Sequence, residues 1–198
     1  MTKQKFAQKP ASASTPERIA EMIRVDHAGE HGAVRIYDGQ LAVFAHVPGM
    51  EKTADLIREM AQHEQTHLDH FDQLITARRV RPTVFGPAWN MAGFALGAVT
   101  ALMGEKAAMA CTAAVEAEID AHYAAQENEL ETYDGEADLS AAITQFRADE
   151  AEHRQTALDA GAEEAPGYEI MTRIILGCLL YTSPSPRDKT VSRMPSSA

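Results

Sequence analysis

Cysteine is scarce: Cys111 and Cys178 are the two in 198 residues, and neither sits at a metal-ligand spacing. A disulfide framework is excluded, and both read as buried free thiols of a reducing compartment. Positive charge is short as well. Lys and Arg number 18 against 29 Asp and Glu, a formal net charge of −11 that argues against a nucleic-acid partner. Runs of β-branched residues punctuated by turns are missing, so strands are not expected. The main apolar run, residues 91–103, is followed by Glu105-Lys106. It falls short of the ~20 residues that span a bilayer, so a buried or interfacial helix is expected there. No charged-then-apolar stretch opens the sequence, so no export signal is expected.

What remains is helix-forming. Apolar residues make up 45% and Ala, Glu, Leu and Met are frequent, which predicts one all-α domain with a sizeable core.

Within it two Glu-x-x-His motifs stand out, Glu64-Gln65-Thr66-His67 and Glu150-Ala151-Glu152-His153. Each has a glutamate upstream at one distance, since 64 − 30 and 150 − 116 both equal 34. The two sets are copies, since 116 − 30, 150 − 64 and 153 − 67 all equal 86. One Glu-x-x-His is weak evidence of anything but a solvated helix face. A Glu on one helix and a Glu-x-x-His on the next, given twice, is the ligand set of a di-metal carboxylate site in a four-helix bundle. The i, i+3 spacing puts carboxylate and imidazole on one helix face. Glu30, Glu64, His67, Glu116, Glu150 and His153 are therefore the expected metal ligands. Four carboxylates and two imidazoles suit a pair of iron or manganese ions.

Ser14-Thr15-Pro16-Glu17 reads as a helix start, followed by a helix to about Val47-Pro48-Gly49 with Ile19, Met22, Ile23, Ile36, Tyr37, Leu41 and Phe44 as its apolar face. A second helix is expected over 50–79, an apolar crossover over 84–103, then helices over 105–133 and 137–160 and a short last one over 168–180. The turns at Gly49 and Gly135 lie equally far from the paired ligands, so two helix hairpins are expected. Residues 1–13 read as a flexible arm and 181–198, rich in Ser, Pro and Arg, as a disordered tail.

Around the ligands, Gly29 and Gly32 interrupt a helix interior at about 1 kcal/mol each, which suggests a close helix approach or room for substrate. Asp26 is placed one turn before Glu30, either to accept a hydrogen bond from a metal-bound imidazole or as a solvated carboxylate. His122 and Tyr123 follow Glu116 and read as hydrogen-bond donors or a proton relay, or equally as core residues with satisfied partners. His63 and His70 share the stripe of His67 and are set aside as ligands, because the repeat singles out His67. Arg78, Arg79 and Arg81 beside Phe85 and Trp89 suit an anionic membrane surface, or simply the end of a helix.

Several stretches carry a resemblance: residues 23–30, Arg79-Val80-Arg81-Pro82-Thr83, Trp89-Asn90, residues 93–98, residues 108–112 and Glu150-Ala151-Glu152-His153. With them the chain resembles the demethoxyubiquinone hydroxylase family of ubiquinone biosynthesis over about residues 18–178. The resemblance implies a ferritin-like bundle holding two iron ions on the six ligands above. It implies a monooxygenase that hydroxylates the ring of a demethoxylated polyprenyl quinol with dioxygen. It further implies peripheral attachment to the cytoplasmic face of the cell inner membrane, an electron donor, and a homo-oligomer or quinone-biosynthesis complex. His122 and Tyr123 match a His-Tyr pair of the family. The family's last helix continues past Gly177-Cys178 with apolar and cationic residues, whereas this sequence continues Leu179-Leu180-Tyr181-Thr182-Ser183-Pro184. Residues from about 179 therefore read as foreign. An iron-storage protein of ferritin type would need polar interfaces and an ion entry, which the apolar 84–103 segment opposes. A membrane-associated peroxidase or a manganese catalase would use the same ligands.

Overall fold

The computed structural model describes residues 15–84 and 86–182. The expected arm (1–13), Ser14, Phe85 and the tail from 183 lie outside the described residues. Within them the chain is all-α, with no strand. The helices are α1 (Thr15–Phe44), α2 (Glu51–Ala77), α3 (Gly86–Leu102), α4 (Glu105–Leu130), α5 (Ala137–Asp159) and α6 (Tyr168–Thr182), with a 3-10 turn at Ala162–Glu164 before the last. Each of the first five ends within a few residues of the periodicity's estimate, and α6 runs two residues past its own, because Tyr181 and Thr182 contain no breaker.

Three pairs dominate the packing, α1 against α3 and two hairpins. α1 lies along α2 and α4 along α5, each joined by a turn whose glycine, Gly49 (φ 88°) or Gly135 (φ 87°), takes the left-handed conformation. The backbones of α1 and α4, and of α2 and α5, approach at few points. That central layer is where the six expected ligands project. α4 is buried on every side from Ala107 to Glu116, which fits a helix apolar all round rather than along one stripe. Cys111 is a buried free thiol, pushed up to about 12 by burial.

Of the two expectations for α3, a wholly buried helix does not hold. Met91, Val99, Leu102 and Met103 are exposed rather than core residues. The reason is the backbone contact of α3 with α1. A Cβ on Gly97 would sit 1.9 Å from the Ile36 carbonyl oxygen, and one on Gly39 2.2 Å from that of Phe94. The small residues face inward and push the large ones out. Gly29 and Gly32 do not serve this purpose: a Cβ on either meets nothing within 4 Å. Gly29 is exposed, whereas α3 does come close at Gly32, where a Cβ on Gly93 would lie 3.0 Å from the Gly32 carbonyl oxygen. Leu96 of α3 and Met171 and Ile175 of α6 close over Ile36, Cys111, Ala114 and Val115.

Candidate metal centre

α1 supplies Glu30, α2 Glu64 and His67, α4 Glu116, and α5 Glu150 and His153, all of them buried. One ligand atom each from Glu30, Glu64, His67 and Glu150 lie within 4.8 Å of one another, and so do those from Glu64, Glu116, Glu150 and His153. Glu64 and Glu150 belong to both groups, with Glu30 and His67 at one end and Glu116 and His153 at the other. His67 Nδ1 is 3.1 Å from Glu150 and 3.7 Å from Glu30, and His153 Nδ1 is 2.9 Å from Glu64 and 3.7 Å from Glu150.

Metal ions suit this set. Glu30 Oε2, Glu116 Oε2, both carboxylate oxygens of Glu64 and of Glu150, and Nδ1 of His67 and of His153 are buried without a hydrogen-bond partner. Buried oxygens and lone pairs left unpaired are costly unless a cation gathers them. Without cations, protons take their place. Burial, then Glu150 and its neighbours, hold Glu64 and Glu116 well above the ordinary carboxyl range, and burial raises Glu150 too. Burial alone would discharge His67, but Glu150 and Glu30 outweigh it and push its pKa up to about 10. Burial lowers His153.

A ring of partners surrounds the ligands, and it repeats as they do. Tyr37 donates to Glu116 at 2.5 Å, and Tyr123 donates to Glu30. Their numbers differ by 123 − 37 = 86, and each tyrosine serves the other half's glutamate. Gln40 Nε2 donates to Thr112 at 3.2 Å, and Gln126 Nε2 to Asp26 at 2.6 Å. Again 126 − 40 and 112 − 26 both equal 86. The halves then differ. Asp26 also meets the half-exposed His122 (3.2 Å), whereas the position matching His122 (122 − 86 = 36) is buried Ile36. Burial raises the Asp26 carboxyl against the pull of His122. Burial likewise opposes charge on His122, but Asp26 prevails and raises it.

One expected contact is corrected. Asp26 bonds His122 and Gln126, not a ligand imidazole, because its helix turn points it at α4. The outer nitrogens of the ligand histidines are met instead from α5 and α2: His67 Nε2 by Asp149 and His153 Nε2 by His63, each at 3.1 Å. The periodicity places Tyr37 in the core, gives Gln40, Gln126 and Asp149 no role, and sets His63 aside as a ligand. The 86-residue offset, extended beyond the ligands, pairs Tyr37 with Tyr123 and Gln40 with Gln126, but it joins the unlike residues His63 and Asp149 and so gives no signal for them.

A model of the family described as Ubiquinone biosynthesis protein COQ7 matches residues 17–182. The match runs past Leu179, where the sequence was read as turning foreign. Among curated proteins, a 3-demethoxyubiquinol 3-hydroxylase of Rhodospirillum rubrum is 48% identical over 166 residues, covering 84% of this chain and 76% of the relative. The mitochondrial NADPH-dependent 3-demethoxyubiquinone 3-hydroxylase of Mus musculus is 50% identical over 166 residues, covering 81% and 73%. The mitochondrial 5-demethoxyubiquinone hydroxylase of Saccharomyces cerevisiae is 37% identical over 193 residues, covering 86% and 82%.

Proposed function

The chain belongs to the Ubiquinone biosynthesis protein COQ7 family, and from that premise we propose that it hydroxylates the ring of a demethoxylated ubiquinol with dioxygen. The observation that carries the reading is the pair of overlapping ligand groups sharing Glu64 and Glu150. Glu30, Glu64, His67, Glu116, Glu150 and His153 would hold two iron ions, although these donors would accept manganese as well. When bound, the ions supply the activation of dioxygen.

The protein's own residues do the rest. Tyr37 and Tyr123 each pin one oxygen of a terminal carboxylate, leaving the other to turn inward. Burial keeps both hydroxyls protonated and therefore donating. Asp26 and His122 form a hydrogen-bonded step between the half-exposed edge of α4 and the Glu30 end, through which a proton can be held or passed. The space beside Gly29 and Gly32 suits a quinol ring, and the apolar residues between α3 and α6 suit its tail. For the reductant we propose a nicotinamide, as the murine relative's name states for that protein.

Among the described residues no helix is long and apolar enough to cross a membrane. Met91, Leu102 and Met103 on and beside α3, with Ile170 and Ile174 of α6, are nonetheless exposed. Attachment to a bilayer surface would cover them, and it would bring the polyprenyl substrate within reach.

The test is the quinone profile of cells lacking this protein. Accumulated demethoxyubiquinone, reversed by the wild-type chain and not by Glu150→Ala, is expected. An unchanged profile would overturn the proposed activity.

A further inference from the structure

The halves of the centre are copies in their ligands but not in what stands behind the two histidines. Position 63 and position 149 correspond, since 149 − 63 = 86, and each directly precedes a motif glutamate. Each reaches across to the other half's imidazole. On one side the acceptor is a carboxylate, Asp149, itself held by Gln145 Nε2 at 2.9 Å. On the other it is the imidazole of exposed His63, whose ring centroid is 5.3 Å from that of His153.

We propose that Asp149 and His63 are positioning residues that make the two metal positions unequal, the ion at His67 held tightly and the ion at His153 held loosely. This rests on the di-metal reading above. A metal on Nδ1 requires the ring's proton to be on Nε2. That N–H must then be donated, and the acceptor decides how strongly the ring binds. A carboxylate polarises the N–H, fixes the tautomer and raises the basicity of Nδ1. A neutral imidazole accepts the same bond without a charge, and only when its own Nδ1 is bare. Partners of this kind change metal affinity by about 10–100-fold. Asp149 is also the better anchored of the two, being partly buried and bonded to Gln145, whereas His63 stands at the surface. The loosely held position is therefore the one whose backing residue is the more exposed, where an ion would enter last and leave first.

The experiment is chelator competition on the full-length chain loaded with cobalt(II), following release by visible absorption and elemental analysis. The wild type is expected to lose its two ions in two steps about tenfold or more apart. Asp149→Asn should weaken the tighter step by about 10–100-fold. His63→Asp, at an exposed position, should strengthen the weaker step and bring the two together. A mere packing role would give loss in both variants and gain in neither. Two ions leaving in one step from the wild type, or two steps that neither variant moves, would overturn the proposal and leave the di-metal reading standing. Loading that never exceeds one ion per chain would overturn both.

Discussion

The Tyr37 hydroxyl donates to Glu116 across the layer between α1 and α4, at 2.5 Å with both groups buried. Removing that hydroxyl leaves a buried carboxylate one donor short, at a cost of about 1.5–3 kcal/mol for a bond to a charged group. Tyr37→Phe is therefore expected to lower the stability of the metal-loaded protein by that amount in urea unfolding. Tyr123→Phe should do the same at Glu30. An unaltered midpoint in both would show that the carboxylates are satisfied by other means.

Metal content separates shared ligands from terminal ones. Glu64 and Glu150 enter both groups, whereas Glu116 enters one. Glu150→Ala is expected to lose most of both ions, and Glu116→Ala to retain close to one per chain. Elemental analysis of folded protein after anaerobic iron reconstitution reads the difference. Equal loss in the two variants would contradict the sharing.

Metal-free protein should be less stable as pH rises. Glu64, Glu116 and Glu150 have folded pKa values above their ordinary 4.5, so the folded state holds protons the unfolded state has released. Their stabilising effect is complete below 4.5 and is lost as pH climbs through the raised values. Each contributes up to ~1.4 kcal/mol per pH unit in that window. His67, raised to about 10, acts in the same direction, and His153, lowered, acts against it below 6.5. Melting temperature without metal should fall between pH 5 and 8, and the loaded protein should show a much flatter profile. A metal-free protein that gained stability over that range would refute the account.

Glycines of different purpose should respond differently. Gly97→Ala forces a methyl to within 1.9 Å of the Ile36 carbonyl oxygen. Backbone must move, and a loss of at least about 1–3 kcal/mol is expected. Gly29→Ala meets no atom within 4 Å, so helix propensity should raise stability by about 1 kcal/mol. If the space beside Gly29 receives substrate, the same variant should raise the KM for the quinol. Thermal melts and steady-state kinetics on both variants test this.

The arginines near α3 are not equivalent as membrane contacts. Arg78 is paired with Glu136 at 2.6 Å, and Arg24 Nε donates to the Arg81 carbonyl, leaving the Arg81 side chain exposed. Arg79→Gln with Arg81→Gln should weaken binding to anionic liposomes by about 1 kcal/mol each. Arg78→Gln should change it little. Replacing Met91, Leu102 and Met103 with Ser should weaken binding to neutral liposomes as well. Cosedimentation unaffected by any of these would remove α3 from the membrane face.

Helix periods, turn residues and the 86-residue offset are local or one-dimensional properties, and the sequence carries them without help. They determined the all-α class, the helix limits to within a few residues, and the choice of His67 over His63 as a candidate ligand. Side-chain pairings across hairpins are another matter, because they depend on how far apart the helices pack and how each is rotated. Only the tertiary structure made Tyr37, a core residue as expected, also the partner of Glu116, and aimed Asp26 at His122. It also set Gly97 against Ile36, which drove Met91 and Leu102 outward although their hydrophobicity alone suggests burial. The unequal backing of His67 and His153 by Asp149 and His63 is likewise invisible in either helix alone, since each acceptor comes from the opposite half of the repeat.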